Sequence, residues 1–141
     1  MKRKLQLLFA TLLLIPLHAA ATMASLSIEN FSIKAGETKE MFIGLNSPDG
    51  NITLVQFDMK LPIGLAIAKE DGDFLVDIAG RTSWKKHSLN TNEVGGGIRF
   101  LLASNTNAVI SGTSGALISV TLTAANNFNG GDISLENILL V

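Results

Sequence analysis

Between Leu54 and Leu65 the chain reads LVQFDMKLPIGL, and this stretch constrains the fold more than any other. Val55, Phe57, Met59 and Leu61 alternate with Gln56, Asp58 and Lys60. Successive side chains of a strand point to opposite faces, so a period of two describes a strand with one face in a core and one in water. Pro62 ends the strand, having no N–H to give a ladder, and Gly64 lets the chain turn before Leu65 re-enters the interior.

The same grammar recurs along the chain. Turn signals stand at Ala35-Gly36, Ser47–Asn51, Pro62–Gly64, Asp71–Asp73, Gly95–Gly97, Gly112–Gly115 and Asn129–Asp132. Between them lie short apolar or alternating runs: Leu26–Ile28, Phe31–Ile33, Met41–Leu45, Leu65–Ile67, Phe74–Ile78, Ile98–Leu102, Ala116–Thr123 and Ile133–Leu135. In Ala116–Thr123 the residues Ser119, Thr121 and Thr123 take the wet face. No window holds the i, i+3, i+4, i+7 spacing of a long amphipathic helix, although a single helical turn fits around Ile78–Lys85. The pattern predicts an all-β domain, an antiparallel jelly-roll β-sandwich of about eight to nine strands. Its core should hold Val55, Phe57, Met59, Phe100, Leu102, Ile118, Val120 and Leu122.

The N-terminus has a different character. Lys2, Arg3 and Lys4 precede an apolar run from Leu5 to Leu17, and Ala19-Ala20-Ala21 supplies small residues at cleavage positions. Residues 1–21 therefore read as a signal peptide, with cleavage after Ala24 as the alternative. An uncleaved anchor is the competing reading, but the run is short for a span and no basic stop-transfer cluster follows. A chain without cysteine cannot carry a lipobox, and its stability must come from packing rather than disulfides. The signal takes 3 of the 11 basic residues and none of the 12 acidic ones, leaving 8 against 12 and a net charge of −4. With no basic cluster left, a nucleic-acid partner is excluded. Residues 25–141 form one domain, expected to be secreted, periplasmic or on a bacterial cell surface, with no membrane span after cleavage. Leu135–Val141 reads as a last strand, either of a stand-alone domain or of the front of a longer multimodular chain.

The residues carry no catalytic constellation. Asp71, Asp73 and Asp77 flank a glycine turn and read as solvated loop carboxylates, without the twelve-residue loop of a calcium site. His87 is the single histidine beyond the signal and is expected on a surface; it cannot build a triad or a metal centre alone. Gly112–Gly115 lacks the spacing of a nucleophile elbow. Gly95–Gly97 is followed by no helix to bind phosphate. Asn51-Ile52-Thr53 fits a glycosylation pattern but reads as a turn. No enzyme activity, metal or cofactor is expected.

One patch has the composition of a binding site. Arg81-Thr82-Ser83-Trp84-Lys85-Lys86-His87 holds the single Trp, with Arg81, Trp84, Lys85 and His87 as candidate binding residues. Trp and Arg are enriched at interface hot spots, and Trp also stacks on sugar rings. The alternative is that Trp84 plugs the end of the sandwich while the lysines solvate a loop.

The order of these motifs resembles the cohesin domains of secreted, polysaccharide-degrading bacteria, notably cohesin-like domains of Bacteroides-type surface proteins. The resemblance covers the mature chain. It comprises the opening Leu26-x-Ile28 strand, the Lys34–Lys39 turn, the Gln56-Phe57-Asp58 strand with its Pro-x-Gly-Leu exit, and the Gly80-Arg81-Thr82 and His87-Ser88-Leu89 steps. The runs Ile98–Ala103, Ile110–Gly112, Gly115–Thr123 and Ile133–Leu135 complete it. It implies a nine-stranded jelly roll without catalysis, one sheet face of which docks a calcium-loaded dockerin module on another protein in a polysaccharide-processing assembly. Related sandwiches bind polysaccharide instead, so a carbohydrate-binding module is the alternative, and a structural spacer domain a third. One Trp and no Tyr is a poor supply for a coplanar sugar platform, which favours protein recognition. Binding is expected on a sheet face or its rim, since no run supplies convergent groups for a deep pocket.

Overall fold

Eleven strands, paired antiparallel throughout, make up residues 23–141, which are the residues the computed structural model describes; none of them is helical. The expected signal peptide at 1–21 lies outside the described residues. In chain order the strands are β1 (Ser25–Ile28), β2 (Thr38–Asn46), β3 (Leu54–Lys60), β4 (Leu65–Ile67), β5 (Lys69–Glu70), β6 (Asp73–Phe74), β7 (Val76–Ile78), β8 (Ser88–Val94), β9 (Gly97–Ala103), β10 (Ala116–Ala124) and β11 (Ser134–Leu140). One sheet runs β1-β2-β10-β4, with β7 also on β10, and the other runs β11-β3-β9-β8.

This is the jelly-roll sandwich the alternation predicts, with more strands than the turn signals suggest. The surplus has a local cause. β4 pairs Leu122–Ala124 and β7 pairs Ile118–Val120, so both lie along one edge of β10. Ala68 N–H donates to Thr121 O (2.8 Å) and Thr121 N–H to Leu75 O (2.9 Å), carrying the ladder across the gap between them. The intervening residues leave the sheet as the β5–β6 hairpin. Its Asp71-Gly72 turn has φ of 51° and 92°, the doubly left-handed turn for which Asp-Gly is favoured. The expected runs Leu65–Ile67 and Phe74–Ile78 are thus joined by a hairpin that adds β5 and divides the second run into β6 and β7. Phe31–Ile33, expected as a strand, pairs with nothing regular, though Phe31 and Ile33 still pack on the core. Ile78–Lys85 contains tight turns rather than a helix.

All eight predicted core residues are fully buried. Phe57 and Phe100 face each other across β3 and β9 and stack with centroids 4.9 Å apart and planes 7° from parallel. Met41, Ile43 and Leu45 of β2 complete the layer from the other sheet. Alternation along β10 misses Leu117. The register slips between Ala116 and Ile118, and this bulge leaves both Leu117 and Ile118 buried.

Candidate functional site

The outward face of the β11-β3-β9-β8 sheet is broad and regular. Because Val55, Phe57 and Met59 point inward, Gln56, Asp58 and Lys60 point outward, beside Leu101 and Arg99 of β9. Asn90 and Asn92 continue the face on β8, and Glu136 and Leu139 on β11. Four strands of up to seven residues span roughly 14 Å between outer strand axes and roughly 23 Å along them.

A rigid charged cluster occupies its middle. Arg99 forks onto Asp58, Nε donating to Oδ1 at 2.7 Å and an amino nitrogen to Oδ2 at 2.9 Å. Asn137 Nδ2 donates to the same Oδ2 at 2.8 Å. Asn137 reaches it because β11 carries an extra residue between Glu136 and Leu139, with Asn137 at φ 49°, a left-handed conformation Asn tolerates well. The Arg99 and Asn137 donors outweigh burial and hold the Asp58 carboxyl at about 2, below its usual 3.8. Lys60 pairs with Glu136 at 2.8 Å, and that partner raises its pKa. Asp58, expected in water, is only 4% exposed. Its register is as predicted, but these neighbours roof it over. The same bulge sets Leu139 opposite Gln56 on the outer face, and both Ile138 and Leu139 are almost half exposed at this edge of the sheet.

The Arg81–His87 patch divides into two parts. Arg81 points inward: Nε donates to Ser111 O at 2.5 Å, one amino group to Leu45 O, and the other to Ser47 Oγ at 2.6 Å and Gly112 O at 2.8 Å. All four acceptors are neutral oxygens, and burial lowers the guanidinium pKa from its ordinary value. His87, expected at the surface, is 5% exposed. Its Nδ1 accepts from Ser83 N–H at 3.4 Å, and its Nε2 sits 3.2 Å from Ala108 O. With Nδ1 accepting from Ser83, the Nε2 position is the one that donates to the Ala108 carbonyl. The polar backbone of a tight turn buries the ring, a signal that lies in the loop's path and not in the residue type. Trp84 and Lys85 stay outside, Trp84 at 60% exposure, so the tryptophan does not plug the core. Gly80 admits this path: at φ 53° its absent Cβ would lie 2.6 Å from Ala116 O.

The two sheets make an all-β sandwich, one outer face of which is built around a fixed charge cluster. No family model matches the chain, and no curated protein does. Solved structures do match it. They include the seventh ScaB type I cohesin from Pseudobacteroides cellulosolvens, at TM-score 0.65 and 16% identity over 82% of this chain and 75% of that one. A type I cohesin–dockerin complex from Clostridium thermocellum matches at TM-score 0.66 and 16% identity over 83% and 84%. The type III cohesin of a cell-surface anchoring scaffoldin from Ruminococcus flavefaciens matches at 0.59 and 16% over 79% and 63%. The chain has the cohesin fold.

Proposed function

We propose that this domain is a non-catalytic, exported module whose β11-β3-β9-β8 face binds a dockerin-type module of another protein, within a polysaccharide-processing assembly outside the cell. The observation that carries the reading is the open face itself, with the half-exposed Leu139 near the locked Asp58–Arg99–Asn137 cluster. A docking surface needs exposed apolar anchors held in a frame that does not rearrange on binding, and this face has both. Cohesin-fold neighbours that are solved with dockerins support the choice of partner. The basic, apolar and small-residue order of residues 1–21 supports export.

The test is a pull-down from the secretome with the mature domain as bait, with and without calcium, and captured chains identified by mass spectrometry. Capture of dockerin-bearing chains, lost on chelation and lost with Leu139→Arg, supports the reading. Absence of any such chain, or capture indifferent to Leu139→Arg, overturns it.

A further inference from the structure

Trp84 stands apart from the other aromatic residues. Every described phenylalanine is buried or partly buried, whereas Trp84 is 60% exposed. It is nonetheless fixed. Its indole Nε1–H donates to Asp77 Oδ1 at 3.1 Å, and Asp77 is itself held through Ile78 N–H at 2.7 Å. The supporting loop is closed by Lys86 N–H and His87 N–H on Ser83 O, by the buried His87 ring, and by the Arg81 clamp. An exposed tryptophan on a mobile loop needs no explanation; one fastened this thoroughly is presented.

What lies beside it gives the presentation a purpose. Asp77 also borders a shallow depression of about 280 Å³ on the outer side of the other sheet, shared with Glu40, Ser119 and Thr121. The β2–β10–β7 register sets these residues on one face: Ser119 pairs with both Phe42 and Asp77, and Thr121 with Glu40. Two carboxylates and two hydroxyls, with the exposed indole of Trp84 tied to the bordering Asp77, match the two needs of a sugar ring, stacking for its C–H face and acceptors for its hydroxyls. The depression is too small for a protein partner and too open for a buried cofactor. Its carboxylates repel uronate and sulfate groups, which leaves neutral sugars.

We infer that Trp84 and the Glu40–Asp77–Ser119–Thr121 depression form a subsite for neutral pyranose units of a polysaccharide, on the sheet opposite the proposed docking face. The inference stands independently of the docking reading, because no residue is shared between the two faces.

The chain's single tryptophan makes the test direct. The mature domain is titrated at up to millimolar concentration with cellohexaose, xylohexaose and mannohexaose, and with oligogalacturonate as the anionic control. Binding is followed by Trp fluorescence and, for variants, by calorimetry. At least one neutral hexasaccharide should shift the emission saturably. Trp84→Ala should weaken that binding at least about tenfold with an unchanged melting temperature, Trp84→Phe should retain most of it, and Leu139→Arg should have no effect. Should Trp84→Ala fail to fold, Glu40→Lys at an exposed position keeps the tryptophan and should abolish binding by filling the depression. Silence with all three neutral hexasaccharides, a preference for oligogalacturonate, or undiminished binding by Trp84→Ala or Glu40→Lys overturns the subsite.

Discussion

Replacing Arg81 by alanine separates a clamp from a contact. The guanidinium ties the loop after β7 to the end of β2 and to the Ser111–Gly112 turn through four acceptors. Ser111 O and Gly112 O are exposed and regain water when the arginine goes, so they cost little. Leu45 O and Ser47 Oγ are partly buried, and each loses a charged donor of about 1.5–3 kcal/mol. The side-chain stem adds lost packing, and partial exposure subtracts from the whole, leaving about 2–4 kcal/mol. For a domain of this size that lowers the melting temperature by roughly 10 °C. Arg81→Lys should recover only part of it, since one ammonium cannot serve four acceptors on two segments. Urea unfolding followed by far-UV circular dichroism measures the loss, with an unchanged m-value showing that the denatured state is unaltered. A stability within about 0.5 kcal/mol of wild type, paired with lost partner binding, would refute the clamp and restore Arg81 as a contact residue.

Three further outcomes follow from the same structure. Phe57→Ala should cost about 3–5 kcal/mol in chemical denaturation, and a double-mutant cycle with Phe100→Ala should show about 0.5–1.5 kcal/mol of coupling from their stacking. Asp58 titrates at about 2 when folded and nearer 3.8 when unfolded, so its contribution is complete above about pH 4 and is lost as pH falls towards 2; Asp58→Asn should flatten acid unfolding in that window. Lys60 has the opposite sign: its pKa is raised by Glu136, so its contribution is full below about pH 10 and fades as pH rises through the shifted value, a slope that Glu136→Gln should remove in alkaline melts.

The sequence announces the inward half of this fold and conceals much of the outward half. Val55, Phe57, Met59, Phe100 and Leu102 were readable because burial repeats every second residue and nothing else imposes that period on β3 and β9. Leu117 was not, because a bulge adds one residue and breaks the count at that point. How the strands around β5 and β6 pair was concealed for a related reason. Asp71-Gly72 was legible as a turn, but whether the flanking strands pair with each other or with β10 depends on the sheet they meet. The candidate sites split the same way. Trp84 and Lys85 are legible as chemistry, whereas the inward turn of Arg81 and His87 depends on carbonyls contributed by Leu45, Ala108 and Ser111, which no local reading supplies.

The two faces of the sandwich follow from how each sheet manages its own outer surface. On the β11-β3-β9-β8 sheet the ion pairs and the Asn137 bulge satisfy the central polar groups internally, so what remains for a partner is shape and the half-exposed Leu139. On the β2–β10–β7 side Ser119, Thr121 and Glu40 make no such network among the described residues, and what remains for a partner is hydrogen bonding. A protein surface rewards the first arrangement, because docking buries a large area and penalises every polar group left unpaired. A glycan rewards the second, because it brings its own hydroxyls and offers only a small apolar face to Trp84. On the two proposed readings, holding Asp58 in place and leaving Ser119 and Thr121 free would divide protein docking and sugar binding between the two sheets.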